Sequence, residues 1–334
     1  MITDFQHKTA GHCESGVISS LLSRHKYPIS EPMAFGIGSG LFFAYLPFVK
    51  LMHAPLFTFR IYPGLLFSRI SKNTGIEIFT KSYKDKKTEA MNDLDTNLTK
   101  GIPVGIQVGV YHLAYFPTEY RLHYNMHNCI VVGKEDNKYL ISDTHMESIT
   151  ELSYEDMVKV RFPRGLFAPH GKMYFPLHVP ETIDIRLAIK KGIEKNVSQM
   201  LNNPFPIIGV NGISYLGKKI NNWPEKFGEK TASYYLGQLI FMFDEAGTGG
   251  AGFRYIYGSF LKEAGEVLNN HALYDISKDM GEVANLWRHF AIIGSKNCSE
   301  TGGINTPYPE LSKVLIELGK KEKNIFKQLK SVKI

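Results

Sequence analysis

Near residue 180 the spacing of apolar residues changes period, and that change limits the architectures open to the chain. Downstream, residues 181–202, 231–244, 254–269, 274–292 and 308–331 repeat apolar side chains at the three-to-four-residue interval of an amphipathic helix. Gly, Pro and Asn breaks separate them. Upstream the texture is mixed. CESGVISSLLSRH (13–25) puts Val17, Ile18, Leu21 and Leu22 on one helical stripe, with Gly11 ahead of it for a tight turn. Ser30-Glu31-Pro32 reads as a cap, a first-turn acid and a first-turn proline, and residues 85–99 as a helix closed by Gly101. PVGIQVGVYHLAYF (103–116) suits a buried strand. MHNCIVVG-KEDN-KYLISDTH predicts a hairpin around a turn of about four residues. A short helix is expected over 153–160 and a strand over 172–179. The pattern predicts an α+β domain with an antiparallel sheet over residues 1–180, then a mostly α-helical domain over 181–334.

A chain of 334 residues with 43% hydrophobic and 21% charged residues buries a sizeable core, which excludes disorder throughout. Three cysteines, Cys13, Cys129 and Cys298, are too few for a disulfide framework and lack metal-ligand spacing, which predicts a reducing, cytoplasmic setting. The N-terminus is polar and carries no apolar signal segment. The most apolar window, Phe35–Val49, holds three glycines and Pro47, so it reads as core and not as a membrane span. The formal charge is +7, and its densest runs (81–87 and 320–333) read as solvated faces, which points away from nucleic acid.

Cys13 stands at the predicted start of a helix, where backbone N–H groups and the helix dipole favour a thiolate. His127 opens the first hairpin strand and Asp143 closes the second, so pairing brings them within a rung or two of each other. The register decides whether they share a face. If they do, the carboxylate holds one imidazole nitrogen and leaves the other for the thiol, in the order found in papain-like enzymes. His112, His123 and His145 are competing bases, His12 is a candidate pocket residue, and Cys129 reads as core packing. An oxyanion would need the Cys13 N–H and a side-chain donor, for which Gln6 is the candidate. GTGGAGF places Gly249 and Gly250 ahead of a helix with Arg254 in its first turn, a possible anion cradle or else a packed turn. FGIGSGLFF lacks the Lys-Ser/Thr of a phosphate loop. His123 and His127 would lie about 13 Å apart on an extended chain, so no metal site is expected.

FQHKTAGHCESGVISSLL, ISEPMAFGIGSGLFF and HNCIVVGKEDNKYLISDTH resemble the N-terminal domain of the butirosin-biosynthesis acyltransferase family. GTGGAGFRYIYGSFLKEA resembles the domain of unknown function that often follows it. The resemblance implies a papain-like fold and a cysteine that takes an acyl group from a carrier-protein thioester and passes it to a small-molecule amine, without a cofactor. Carried over by position, Cys13 is the nucleophile, His127 the base and Asp143 its partner. Glu31 and the Gly36–Gly40 loop, Gly38 included, belong to the pocket wall. The basic excess suits an acidic carrier protein, and the helical half is assigned to the substrate pocket or to an interface between copies of the chain. A papain-like peptidase or amidase, and a binding protein on the same fold, are the alternative readings.

Overall fold

A computed structural model describes residues 4–25, 28–245, 247–298 and 306–334. In chain order the helices are α1 (Cys13–Leu22), α2 (Glu31–Ile37), α3 (Leu65–Thr74), α4 (Lys87–Thr99), α5 (Tyr154–Arg161), α6 (Ile185–Leu201), α7 (Gly209–Ile220), α8 (Trp223–Phe227), α9 (Glu229–Ile240), α10 (Arg254–Leu268), α11 (His271–Ser295) and α12 (Tyr308–Ser331). The strands are β1 (Leu41–Leu51), β2 (Ala54–Arg60), β3 (Glu77–Lys81), β4 (Val104–Val108), β5 (His127–Glu135), β6 (Lys138–Ser142), β7 (Thr150–Ser153) and β8 (Met173–His178). The chain is α+β, with its helices concentrated after residue 184. It divides into two compact units, residues 1–34 with 63–184, and residues 35–62 with 185–334. Residues 35–62, expected in the first domain, thus belong to the helical unit. Among the described residues no helix is long and apolar enough to cross a membrane.

The first unit is built on a six-stranded antiparallel sheet in the order β3-β8-β4-β5-β6-β7. Alternation sorts its side chains between two faces. Val104, Ile106, Val108, Cys129, Val131, Ile141 and Met173 pack with Met91 and Leu94 of α4 and Met157 and Val160 of α5. The opposite face, which carries Asn128, Ile130 and Tyr174, receives α1. The expected hairpin forms, with a tighter turn than predicted: Asp136 and Asn137 (φ 44° and 64°) close a two-residue loop, and Glu135 pairs with Lys138.

The second unit holds the β1–β2 hairpin and helices α6–α12. Its centre is aromatic. Trp287 of α11 meets Phe59 edge-on at 5.5 Å and Phe243 at 5.0 Å, and Phe43 packs against Phe59 at 5.3 Å. Residues Ile256, Phe260, Leu261 and Ala264 of α10 are buried, Ser259, Lys262 and Glu266 are exposed, and Tyr255 is half-buried.

Two expectations for this unit are corrected. Arg254 binds no external anion: it is fully buried, and its Nε and Nη2 each donate to Glu322 at 2.9 Å while Nη1 donates to the Gly252 carbonyl at 2.7 Å. The Trp287 indole adds a third donor to Glu322, at 2.8 Å. Gly249 and Gly250 both take positive φ (65° and 81°) in a tight turn, where the Gly250 N–H donates to the Thr248 hydroxyl and the Ala251 N–H to Asp244. Gly36 and Gly38 are buried in α2 and the turn after it; a Cβ on Gly36 would overlap the Phe260 ring, so close packing requires the glycine there. Arg254→Ala strands the Glu322 carboxylate in the core. We expect it to lower the unfolding free energy by about 3–5 kcal/mol, read as a fall in the urea midpoint.

Candidate active site

The N-terminal segment is anchored before α1 begins. His7 bonds the Ser142 hydroxyl through Nδ1 at 2.8 Å and the Met146 carbonyl through Nε2 at 2.9 Å, and the Ala10 N–H donates to the Thr144 carbonyl at 3.0 Å. Glu31, in the first turn of α2, accepts from the backbone N–H groups of Gly11 (3.1 Å) and His12 (2.7 Å). Burial raises the Glu31 pKa against the pull of those two donors. His12 caps α1 through its ring, with Nδ1 set on the Ser15 N–H and hydroxyl. The cap delivers Cys13 as the first residue of α1, with the residue 7% exposed. Gly16, one turn on, lets the helix approach the sheet, since a Cβ would collide with Ala10 and lie 2.9 Å from Thr144 Cγ2.

His127 and Asp143 share a face because β5 carries one extra residue. Near the turn Gly133 pairs with Leu140, but beyond it Val131 pairs with Ile141, so Val132 is a bulge. A regular ladder would put Ser142 and Thr144 on the His127 face. The bulge puts Asp143 and His145 there instead. His127 Nε2 is 2.7 Å from Asp143 Oδ2, and the ring stacks on His145 at 5.4 Å and meets Phe116 edge-on at 5.6 Å. Asp143 also accepts from the Tyr115 hydroxyl at 2.8 Å and from the His145 N–H at 3.0 Å. The Cys13 side chain is a further hydrogen-bond partner of His127, which leaves Nδ1 of the ring for the sulfur.

The electrostatics follow from this geometry. Burial disfavours a charged His127, but the Asp143 carboxylate and the Cys13 sulfur outweigh it and push the His127 pKa up to about 10. For Asp143, burial likewise opposes the charge and His127 wins, so its pKa falls below the usual carboxylate value. The charged pair therefore persists through the neutral range, and is lost as pH climbs through about 10 or drops below the lowered carboxylate pKa. Burial and Asp143 drive the Cys129 thiol well upward, consistent with core packing. An imidazolium fixed by a carboxylate beside a thiol at a helix start is equipped to hold a thiolate and to return its proton.

The structure thus gathers Cys13, His127 and Asp143, with Glu31 behind the loop that carries Cys13. The other histidines have different duties. His12 caps α1, and His123 stacks on Tyr111 at 4.1 Å. Gln6 is exposed; the amide found at the sulfur is that of Asn128, whose Nδ2 lies 3.8 Å from Cys13 Sγ. Sequence reasoning missed Asn128, Tyr115 and Tyr174. Asn128 adjoins His127 in the chain and so had a positional signal, whereas the two tyrosines arrive from segments whose routes no local pattern reveals.

Two families match the chain. The one described as butirosin biosynthesis protein H, N-terminal, matches residues 12–144 and so encloses Cys13, His127 and Asp143. A domain of unknown function, DUF4872, matches residues 155–329. No curated protein matches.

Two substitutions test the geometry. In Asp143→Asn, burial is left without its main opponent, so the His127 titration, followed by NMR of its Cε1 proton, should fall well below about 10. Gly16→Ala should cost about 1–3 kcal/mol in stability by overpacking against Ala10 and Thr144, despite the better helix propensity of alanine, and the melting temperature should fall accordingly.

Proposed function

We propose that the chain, which belongs to the DUF4872 family and matches the butirosin biosynthesis protein H, N-terminal, family over residues 12–144, is a cysteine acyltransferase. Cys13 accepts an acyl group from a thioester and passes it to an amine. The observation that carries this reading is the arrangement at His127, with Asp143 at 2.7 Å on one ring nitrogen, Cys13 on the other side, and a pKa raised to about 10.

In the first half-reaction the Cys13 thiolate attacks the thioester carbonyl and a new C–S bond forms. As the tetrahedral intermediate collapses, the C–S bond of the donor breaks and His127 Nδ1 gives its proton to the departing thiol. In the second half an amine attacks the acyl-cysteine and His127 takes the amine's proton. The acyl–Cys13 bond then breaks and the thiolate is restored. Asp143, held by Tyr115 and the His145 N–H, keeps the ring oriented and its charge compensated through both halves. The formal charge of +7 supports an acidic carrier protein as the thioester's bearer. Arg254 plays no part in that attraction, being spent on Glu322.

Intact mass spectrometry after incubation with an acyl N-acetylcysteamine thioester tests the reading. The expected result is one acyl mass added to wild type, discharged by a primary amine, and absent in Cys13→Ala. Turnover retained by Cys13→Ala would sink the assignment, and discharge as free acid whatever amine is supplied would make the enzyme a hydrolase. Iodoacetamide should alkylate Cys13 well below the free-thiol pKa of about 8.5, and His127→Ala should return the midpoint toward that value. A sluggish thiol indifferent to His127 would instead mark a binding protein.

A further inference from the structure

We propose that Asn128 is the side-chain half of the oxyanion site, its Nδ2 donating to the acyl oxygen as the Cys13 sulfur bonds to the carbonyl carbon. The inference rests on the acyl-Cys13 reading above and adds to it a residue in direct reach of the reacting atoms.

Asn128 lies on the sheet face that receives α1, the face opposite His127 and Asp143, and it is 5% exposed. Its Oδ1 faces the Tyr174 hydroxyl at 2.8 Å. Burial, with Glu14, Cys13 and Cys129 nearby, drives the Tyr174 pKa well upward, so that hydroxyl keeps its proton and donates it. The amide is thereby oriented with its oxygen toward Tyr174 and its NH2 away from it. One amide hydrogen is used on the Met126 carbonyl, at 3.1 Å. The same nitrogen stands 3.8 Å from Cys13 Sγ, too long for a strong bond to the resting sulfur. The distance suits an atom one bond beyond the sulfur's new partner. A carbonyl oxygen on a carbon attached to Sγ can come within about 2.7–3.1 Å of such a donor, the separation at which an oxyanion is stabilised.

The supporting frame is specific to this arrangement. Tyr174 is on β8 and Asn128 on β5, and β4 runs between them. Gly105 of β4 pairs with Tyr174 on one side and with Ile130 on the other. A Cβ at Gly105 would overlap the Tyr174 ring, so the tyrosine crosses the middle strand because that position is glycine. Phe67 of α3 packs against the tyrosine ring at 4.5 Å. Tyr174 is therefore a positioning residue, and Asn128 is the group that meets the substrate.

Two reactions of the same sulfur separate this role from its rivals. Acylation by an acyl N-acetylcysteamine thioester builds an oxyanion, whereas alkylation by iodoacetamide displaces iodide at a methylene carbon and builds none. Asn128→Ala should slow single-turnover acylation of Cys13, read by intact mass, by about 10²–10³-fold. Its alkylation rate and the pH midpoint of alkylation should match wild type. Tyr174→Phe should slow acylation by a smaller factor and likewise spare alkylation. Where the alanine variant fails to fold, Asn128→Leu fills the same space without a donor and should give the same split. Acylation within threefold of wild type would overturn the proposal. So would an alkylation midpoint that rises in step with the loss, because Asn128 would then serve the thiolate. A wild type that takes up no acyl group overturns the acyl-Cys13 reading and this inference with it; an acylated wild type with an unimpaired Asn128→Ala overturns this inference alone.

Discussion

One extra residue in β5 decides which side chains meet at the end of the hairpin. An antiparallel ladder alternates faces with a period of two, so inserting Val132 exchanges the entire set of partners beyond it. Asp143 and His145 come onto the His127 face, and Thr144 goes to the face that receives α1, where it lies against Gly16. The bulge thereby serves both sides of the sheet. It supplies a carboxylate to the imidazole on one face and a small side chain to the approaching helix on the other. Removing that residue in thought leaves the hairpin intact and scatters the site.

Bringing a helix start to that point takes several weak restraints acting together. Glu31 gathers the Gly11 and His12 N–H groups, His7 and Ala10 tie the incoming segment to the end of β6 and the residues beyond it, and the His12 ring closes the first turn. Each is a hydrogen bond of ordinary worth, about 0.5–1.5 kcal/mol net, so none dominates the folding energy. What they fix is position. The Cys13 sulfur sits where His127 and Asn128, which point to opposite faces at the start of β5, can both reach it.

The legible part of the sequence was the part governed by local period. The helix at Cys13, the Ser30-Glu31-Pro32 start, the central hairpin and five of the later helices all announce themselves by spacing and caps. The β1–β2 hairpin did not, because its turn uses Met52 and His53 in left-handed conformation (φ 50° and 62°) and offers no Asn-Gly signal. Helices α7 and α8 hid among Asn, Gly and Pro residues that read as breaks. Cys13, His127 and Asp143 could be chosen by residue type and order, but their shared geometry could not, since a one-residue shift in pairing reverses it. Arg254 was misread for a related reason. A guanidinium behind a glycine loop looks like an anion receptor until its carboxylate is found 68 residues away.

Arg254–Glu322 and His127–Asp143 are the same physics carried to different ends. Both take charges out of water, which is costly unless every polar atom is answered. At Arg254 three chain elements close the account: Glu322 binds the guanidinium through two atoms, Gly252 takes a third donor, and Trp287 returns a hydrogen bond to the carboxylate. Such a cluster holds α10, α11 and α12 together and has little capacity left for a ligand. At His127 the carboxylate is equally well answered, by Tyr115, the His145 N–H and the ring itself. The imidazole's other side, however, rests on a thiol, a group that can exchange a proton and form a covalent bond. Burial makes the ion pair strong in both places, and the chemistry of the final partner separates a clamp from a reactive centre.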